Sequence, residues 1–247
     1  MTAGLRRHGA GYDTLMRRLR LVVGGPTVVS RTPPGPAVPR LAVALFLVSM
    51  LVGCVPYAVG TTAETVPARR VAPSAVVQIA SANRDLDRGE RPSGAVASIG
   101  NEARLGLDAH SDIGVRILSL GSVVATYKRR LSGTGQAGTA LLVGAGVVGA
   151  DQLHVEATFV ASLARRGSVV PYGGVRVQDL TPFAGDALAT DPAVGAFAGA
   201  RFGWPDLALS PEIGIFYSPS PLAGDDAIIV VPSVTINGDR LMRALGL

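Results

Sequence analysis

The sequence predicts an all-β protein, an antiparallel up-and-down β-barrel of about ten strands. Three observations predict it. Polar and apolar residues alternate with a period of two in window after window, the periodicity of a strand with one greasy and one wet face. Several of these windows run about ten residues or longer, where ordinary globular strands average about 5–6. Between them stand Gly, Pro, Asp and Asn, spaced closely enough that most connections are short turns, and long strands with short turns fit a meander closed into a barrel.

The alternation is clearest at Leu153–Leu163, where Leu153, Val155, Ala157, Phe159, Ala161 and Leu163 share one parity against His154, Glu156, Thr158 and Ser162, with Val160 the exception. At 102–110, Ala103, Leu105 and Leu107 oppose Glu102, Arg104, Asp108 and His110. Ile113, Val115 and Ile117 oppose Asp112 and Arg116; Val169, Val175 and Val177 oppose Tyr172, Arg176 and Gln178; Leu207, Leu209, Ile213 and Ile215 oppose Ser210 and Glu212. Helical spacing of apolar positions at i, i+3, i+4 and i+7 is missing from most of these windows. The expected strands are 75–81, 101–110, 112–119, 121–131, 138–149, 152–164, 168–179, 193–203, 207–218 and 226–237.

Composition narrows the function classes. Among 247 residues 48% are hydrophobic, enough to bury a core, and 17% are charged, below the usual quarter or so. A single cysteine excludes a disulfide framework and any all-thiolate metal site, and three histidines leave little for a histidine cluster. The net charge of +5 belongs to the first 53 residues, which hold seven arginines against Asp13 alone. The remainder is close to neutral, so no basic stripe supports nucleic-acid binding.

Residues Leu41–Gly53, LAVALFLVSMLVG, are uncharged and follow Arg40. They are too short for a spanning helix, which needs about 20 apolar residues. A basic region before a short apolar core is the pattern of an export signal. The run ends at Leu51-Val52-Gly53-Cys54, which resembles the lipobox of bacterial lipoproteins. That resemblance implies cleavage before Cys54 and acylation of its thiol. Val55 after the Cys, in place of Asp, implies release from the inner membrane. More than one acyl chain is needed for lasting attachment, and the family carries several on this cysteine. The expected organisation is a removed leader (1–53), a lipidated tether (54–74), a barrel (75–237) and a C-terminal tail (238–247).

The parity carrying Glu102, Arg104, Asp108, Asp112, Arg116, Glu156, Arg176 and Glu212 holds charges of both signs. In a narrow membrane barrel these residues face the lumen and pair with one another, and the apolar parity meets lipid. On an aqueous barrel they form a solvated surface instead. The apolar parity is rich in Val, Ile, Ala, Gly and Leu, with few large aromatics to fill an inner core. Tyr127, Tyr172, Phe202, Trp204, Phe216 and Tyr217 fall near expected strand ends, where aromatic girdles lie at bilayer interfaces. The segments NEARLGLDAHSDIGVRILSLGSVVATYKRR, PEIGIFYSP and IIVVPSVTIN together resemble the small uncharacterised outer-membrane barrels of Gram-negative bacteria. The chain departs from that pattern at its end, where GDRLMRALGL follows Asn237 and no terminal aromatic closes the last strand.

Other motifs carry less. Gly133/Gly135/Gly138 and Gly144/Gly146/Gly149 both match G-x-G-x-x-G, but the acidic residue expected about 20 positions on is missing from its place. His154 and Glu156 share a strand face, and Ser162 would complete a hydrolase-like set with nothing to activate it. His110 with Asp108 and Asp112 reads as a wet turn sooner than a cation site, and Asp225-Asp226 as a loop tip. No cofactor and no metal are expected. The function this implies is an exported, lipid-anchored outer-membrane barrel without catalysis, structural or handling a small solute, with membrane lipid as its partner. The alternatives are a periplasmic lipid-anchored, lipocalin-like ligand carrier and a dinucleotide-binding α/β enzyme using Gly144–Gly149.

Overall fold

The structure, a computed structural model, describes residues 55–83, 95–149, 151–183, 192–204, 207–219 and 227–238. The leader 1–53, Cys54, Asp225, Asp226 and residues 239–247 of the expected tail lie outside the described residues.

Ten strands form one closed barrel: β1 (Val71–Asn83), β2 (Ala95–Gly106), β3 (Ser111–Leu118), β4 (Ser122–Ser132), β5 (Gly138–Val148), β6 (Gln152–Ser162), β7 (Val169–Pro182), β8 (Ala193–Trp204), β9 (Leu207–Ser218) and β10 (Ala227–Asn237). Each pairs antiparallel with its neighbours in sequence, and β1 pairs antiparallel with β10 to close the ring, Ser74 opposite Asn237 and Asn83 opposite Ile228. Among the described residues the only helical turn is a 3-10 turn at Ser119–Gly121. Gly144 and Gly146 are therefore strand residues of β5, and Gly149 follows that strand with no helix behind it, which overturns the dinucleotide-site reading.

The strand alternation of the sequence becomes the two faces of the wall. Ile213, Ile215, Val115 and Ile117 point outward, each between 43% and 54% exposed, while their neighbours Glu212, Arg116 and Leu118 point inward and are buried. The barrel has its apolar surface outside and its charged residues inside, the reverse of a water-soluble core.

The main difference from the expected strands is β2, which spans 95–106 where 101–110 was expected. Alternation continues past Gly106 through Leu107, Asp108 and His110, but these residues form the turn to β3. The Asp108 carboxylate accepts hydrogen bonds from the His110 amide (2.6 Å) and the Ser111 hydroxyl (2.8 Å), and this side-chain turn ends the ladder. Asp108 is thus an exposed turn residue and not part of the lumen.

The two mouths of the barrel differ. The connections 107–110, 133–137, 163–168 and 205–206 share one mouth with the start of β1 and the end of β10. At the opposite mouth β1 ends and β2 starts, β7 ends and β8 starts, and β9 ends and β10 starts, beside the short turn at Ser119–Gly121.

Candidate functional site: the filled lumen

A barrel of about eight strands is just wide enough for its own side chains to fill, so ten leave room over. Residues 55–67 occupy that room. They begin beside Gln78, about midway along β1, and run to the mouth where β1 starts, and Ala58, Val59, Thr62, Ala63 and Thr65 are all buried. The described part of the expected tether, 54–74, is therefore an internal segment, an exposed link and the first residues of β1.

The segment forms no strand pairing, so its backbone groups need partners from elsewhere. Side chains of the wall supply them. Gln78 spans the first turn, its Oε1 accepting from the Ala58 amide (2.9 Å) and its Nε2 donating to the Val55 carbonyl (2.7 Å). The two oxygens of Glu212 accept from the amides of Val59 (2.8 Å) and Gly60 (2.9 Å). Arg176 donates to the carbonyls of Pro56 (2.5 Å) and Tyr57 (3.0 Å), and Arg116 to that of Ala58 (3.1 Å). Further along, Lys128 donates to the Glu64 carbonyl (2.6 Å) and the Thr61 hydroxyl (3.0 Å). The Ala63 amide donates to Ser162 (3.2 Å) and the Val66 amide to Asp112 (2.9 Å).

The same residues pair with one another. Arg104 lies between Asp112 (2.5 Å) and Glu102 (2.5 Å) and also reaches the Thr126 hydroxyl (3.0 Å). Arg116 meets Glu102 at 3.3 Å, Lys128 meets Asp112 at 3.6 Å, and Arg176 meets Glu156 at 3.4 Å and donates to Thr158 at 2.8 Å. Charges withdrawn from water cost several kcal/mol apiece unless they are paired and their remaining hydrogen bonds are met. Here the segment's backbone meets several of them.

Of the eight polar residues singled out from the sequence, the structure turns Glu102, Arg104, Asp112, Arg116, Glu156, Arg176 and Glu212 inward and leaves Asp108 in its turn. In that turn the hydrogen bond from the His110 amide, then the one from Ser111, hold the Asp108 carboxyl below its ordinary value. Sequence reasoning missed Lys128 and Gln78. Lys128 belongs to a run of three cations, Lys128-Arg129-Arg130, that reads as a solvated strand end; its even parity, shared with Val124 and Thr126, was the signal.

The aromatic positions divide. Trp204, Phe202 and Tyr217 are exposed on the outer face, with Trp204 and Phe202 at the mouth of the short turns and Tyr217 toward the other. Tyr127 is half-buried on that outer face. Tyr172 and Phe216 are corrections: both point into the lumen. Each fills the space left by an inward-facing glycine directly across the sheet, Tyr172 over Gly199 and Phe216 over Gly195. Tyr57 of the internal segment completes this packing, its ring 4.9 Å from that of Phe216.

The remaining polar sets do not assemble into catalytic or metal-binding sites. His154 Nε2 lies 3.1 Å from Glu156, but its Nδ1 has no partner among the described residues, and Ser162 is engaged by Gln136 and Ala63. His110 and Asp108 sit in the turn while Asp112 faces the lumen, and no group of three metal-ligating residues occurs among the described residues.

The sequence matches no described protein family and no curated protein. Among solved structures, the chain is similar to Neisserial surface protein A, at 12% identity and a TM-score of 0.34 over 68% of this chain and 96% of that one. It is similar to Ail, the attachment invasion locus protein of Yersinia pestis, at 12% identity and a TM-score of 0.33 over 68% and 95%. A third likeness is to the N-terminal β-barrel domain of Pseudomonas aeruginosa OprF, at 10% identity and a TM-score of 0.27 over 66% and 96%. The likeness is one of barrel architecture.

Proposed function

We propose that this chain is a non-catalytic outer-membrane β-barrel protein, with its barrel in the bilayer and a structural role in the envelope. The observation that carries the reading is the polarity of the wall. Ile113, Val115, Ile117, Val143, Val155, Val177, Ile213 and Ile215 form a continuous outward apolar belt, while the charges on neighbouring positions point inward. In water such a belt would be an exposed patch far larger than soluble monomers carry. In a bilayer it is the lipid-facing surface, and closure of the ring leaves no unpaired strand edge in hydrocarbon.

A lipocalin-like carrier would need an apolar, vacant interior, and this interior is charged and occupied. The same occupancy favours a structural role over passage of small solutes. The sequence between β1 and β2, β7 and β8, and β9 and β10 is longer than that between strands joined at the other mouth, in keeping with the outer and periplasmic ends of outer-membrane barrels.

Heat-dependent migration on detergent gels tests the barrel. A compact, fast-migrating species that shifts on boiling is expected, and solubility without detergent would overturn the reading. Intact mass tests the lipobox resemblance separately: a mature chain that begins at Cys54 and carries acyl mass absent from a Cys54→Ala variant would put an anchor next to the internal segment, and a chain without acyl mass leaves the barrel alone to hold the protein in the bilayer.

A further inference from the structure

The internal segment is held in an uncommon way. Among the described residues, eleven hydrogen bonds join wall side chains to its backbone, and one, from Lys128 to Thr61, joins a wall side chain to one of its side chains. Recognition of this kind reads the main chain and is largely indifferent to side-chain identity. Selectivity comes from a few positions. Gly60 has φ +60°, and a Cβ there would lie 2.1 Å from the Thr235 hydroxyl, so only glycine fits. Ala63 is wholly buried and Ala58 nearly so, which demands small residues, and the Tyr57 ring packs at a tilt against Phe216.

The link between this segment and the wall is of a different character. Pro67, Ala68, Arg69 and Arg70 are exposed, and Arg69 has a left-handed φ of 64°. Beside them a cavity of about 320 Å³ opens at the same mouth, lined by Gly60, Glu64, Pro67, Glu102, Lys128 and Arg201 among others. The occupant is thus bound by the lumen along its length and joined covalently through one exposed turn.

We propose that the lumen is a binding channel for a polypeptide segment, read through its backbone, and that residues 55–67 are its built-in occupant. Its ligand class is a peptide with an aromatic residue, a small residue next to it, glycine two positions further on, and a second small residue three beyond that. A tethered segment competes at an effective concentration in the millimolar range, so a peptide from outside enters only when the tether is cut or the segment's hold is weakened.

The test uses the full chain in detergent with a site-specific protease sequence inserted after Ala68. The probe is a synthetic peptide of residues 55–67, fluorescently labelled at its Pro67 end, which reaches the mouth. After cutting, the original segment should stay with the barrel on gel filtration and exchange with the probe, and the uncut chain should take up at least about ten-fold less. A probe with valine at the Gly60 position should bind at least about ten-fold more weakly. Should the insertion prevent folding, the uncut chain carrying Gly60→Val serves instead: the substitution weakens the tethered segment and not the probe, so entry of the probe should rise about ten-fold above that of the unaltered chain, and unchanged entry would overturn the proposal. Loss of the cut segment without probe binding, retention without exchange, or equal binding of the valine probe would each overturn the proposal.

Discussion

Glu212 on β9 receives the amide of Gly60 at 2.9 Å, 152 positions away in sequence, with its other oxygen on the preceding amide. One carboxylate therefore fixes two consecutive peptide groups at the point where the segment turns through a left-handed conformation. Glu212→Gln keeps the size of the side chain but replaces one accepting oxygen by a donor facing an N–H. A hydrogen bond to a charged group contributes about 1.5–3 kcal/mol, so the segment should loosen by about ten-fold or more. Maleimide labelling of a cysteine placed at Val59, in a chain lacking Cys54, should accelerate accordingly while the barrel keeps its heat-dependent migration.

Gly60→Val should expel the segment without unfolding the wall, because the φ of +60° and the contact with Thr235 penalise any Cβ. Thr235→Ala relieves the contact with the hydroxyl but not the backbone strain, so it should restore only part of the protection. Labelling at Val59 reads both variants.

Arg104→Met would leave Asp112 and Glu102 facing each other across a site they now share with a guanidinium. Removing one member of a buried charge set typically costs about 3–5 kcal/mol. Urea unfolding in vesicles should show a loss of that order, against a much smaller one for Thr126→Val at the edge of the same cluster.

The outer belt predicts a dependence on depth. Ile213 lies midway along β9 on the outer face, and Ile213→Arg should cost about 2–4 kcal/mol in a bilayer. Val71 stands at the first position of β1, and Val71→Arg should cost no more than about 1 kcal/mol. Folding yields into vesicles compare the two.

The β2–β3 turn should loosen in acid. Its carboxyl, Asp108, titrates in the folded chain below its ordinary value of 3.8, chiefly through the His110 amide. The support this gives the turn is present above that ordinary value and is lost as pH falls through the lowered one. The His110 amide resonance should report the transition, and Asp108→Asn should abolish it.

The wall was legible because a strand writes its two faces into alternate positions. Ile113, Val115 and Ile117 against Asp112 and Arg116 is a pattern that needs no tertiary knowledge. What alternation does not carry is where it ceases to be a strand: it runs unbroken from Leu105 through His110, and the turn held by the Asp108 side chain and the Ser111 carbonyl ends β2 at Gly106. Nor does it carry cross-strand register. Phe216 reads as a girdle residue until it is known to sit opposite Gly195, and Tyr172 until it is known to sit opposite Gly199. The internal segment was the least legible part. Val55–Pro67 has neither period, and its small and Thr-rich composition suits a solvated tether as well as a narrow interior. The partners that decide between them, such as Glu212 and Arg176, lie more than a hundred residues away.

The ring is sealed by its first and last strands, β1 and β10. Enclosure of Val55–Pro67 is consequently a late event in folding, since its container is completed only when the last strand pairs with the first. Until then Arg116, Arg176 and Glu212 stand on an open, curling ribbon, able to gather that stretch from the side without pulling a free end through a finished pore.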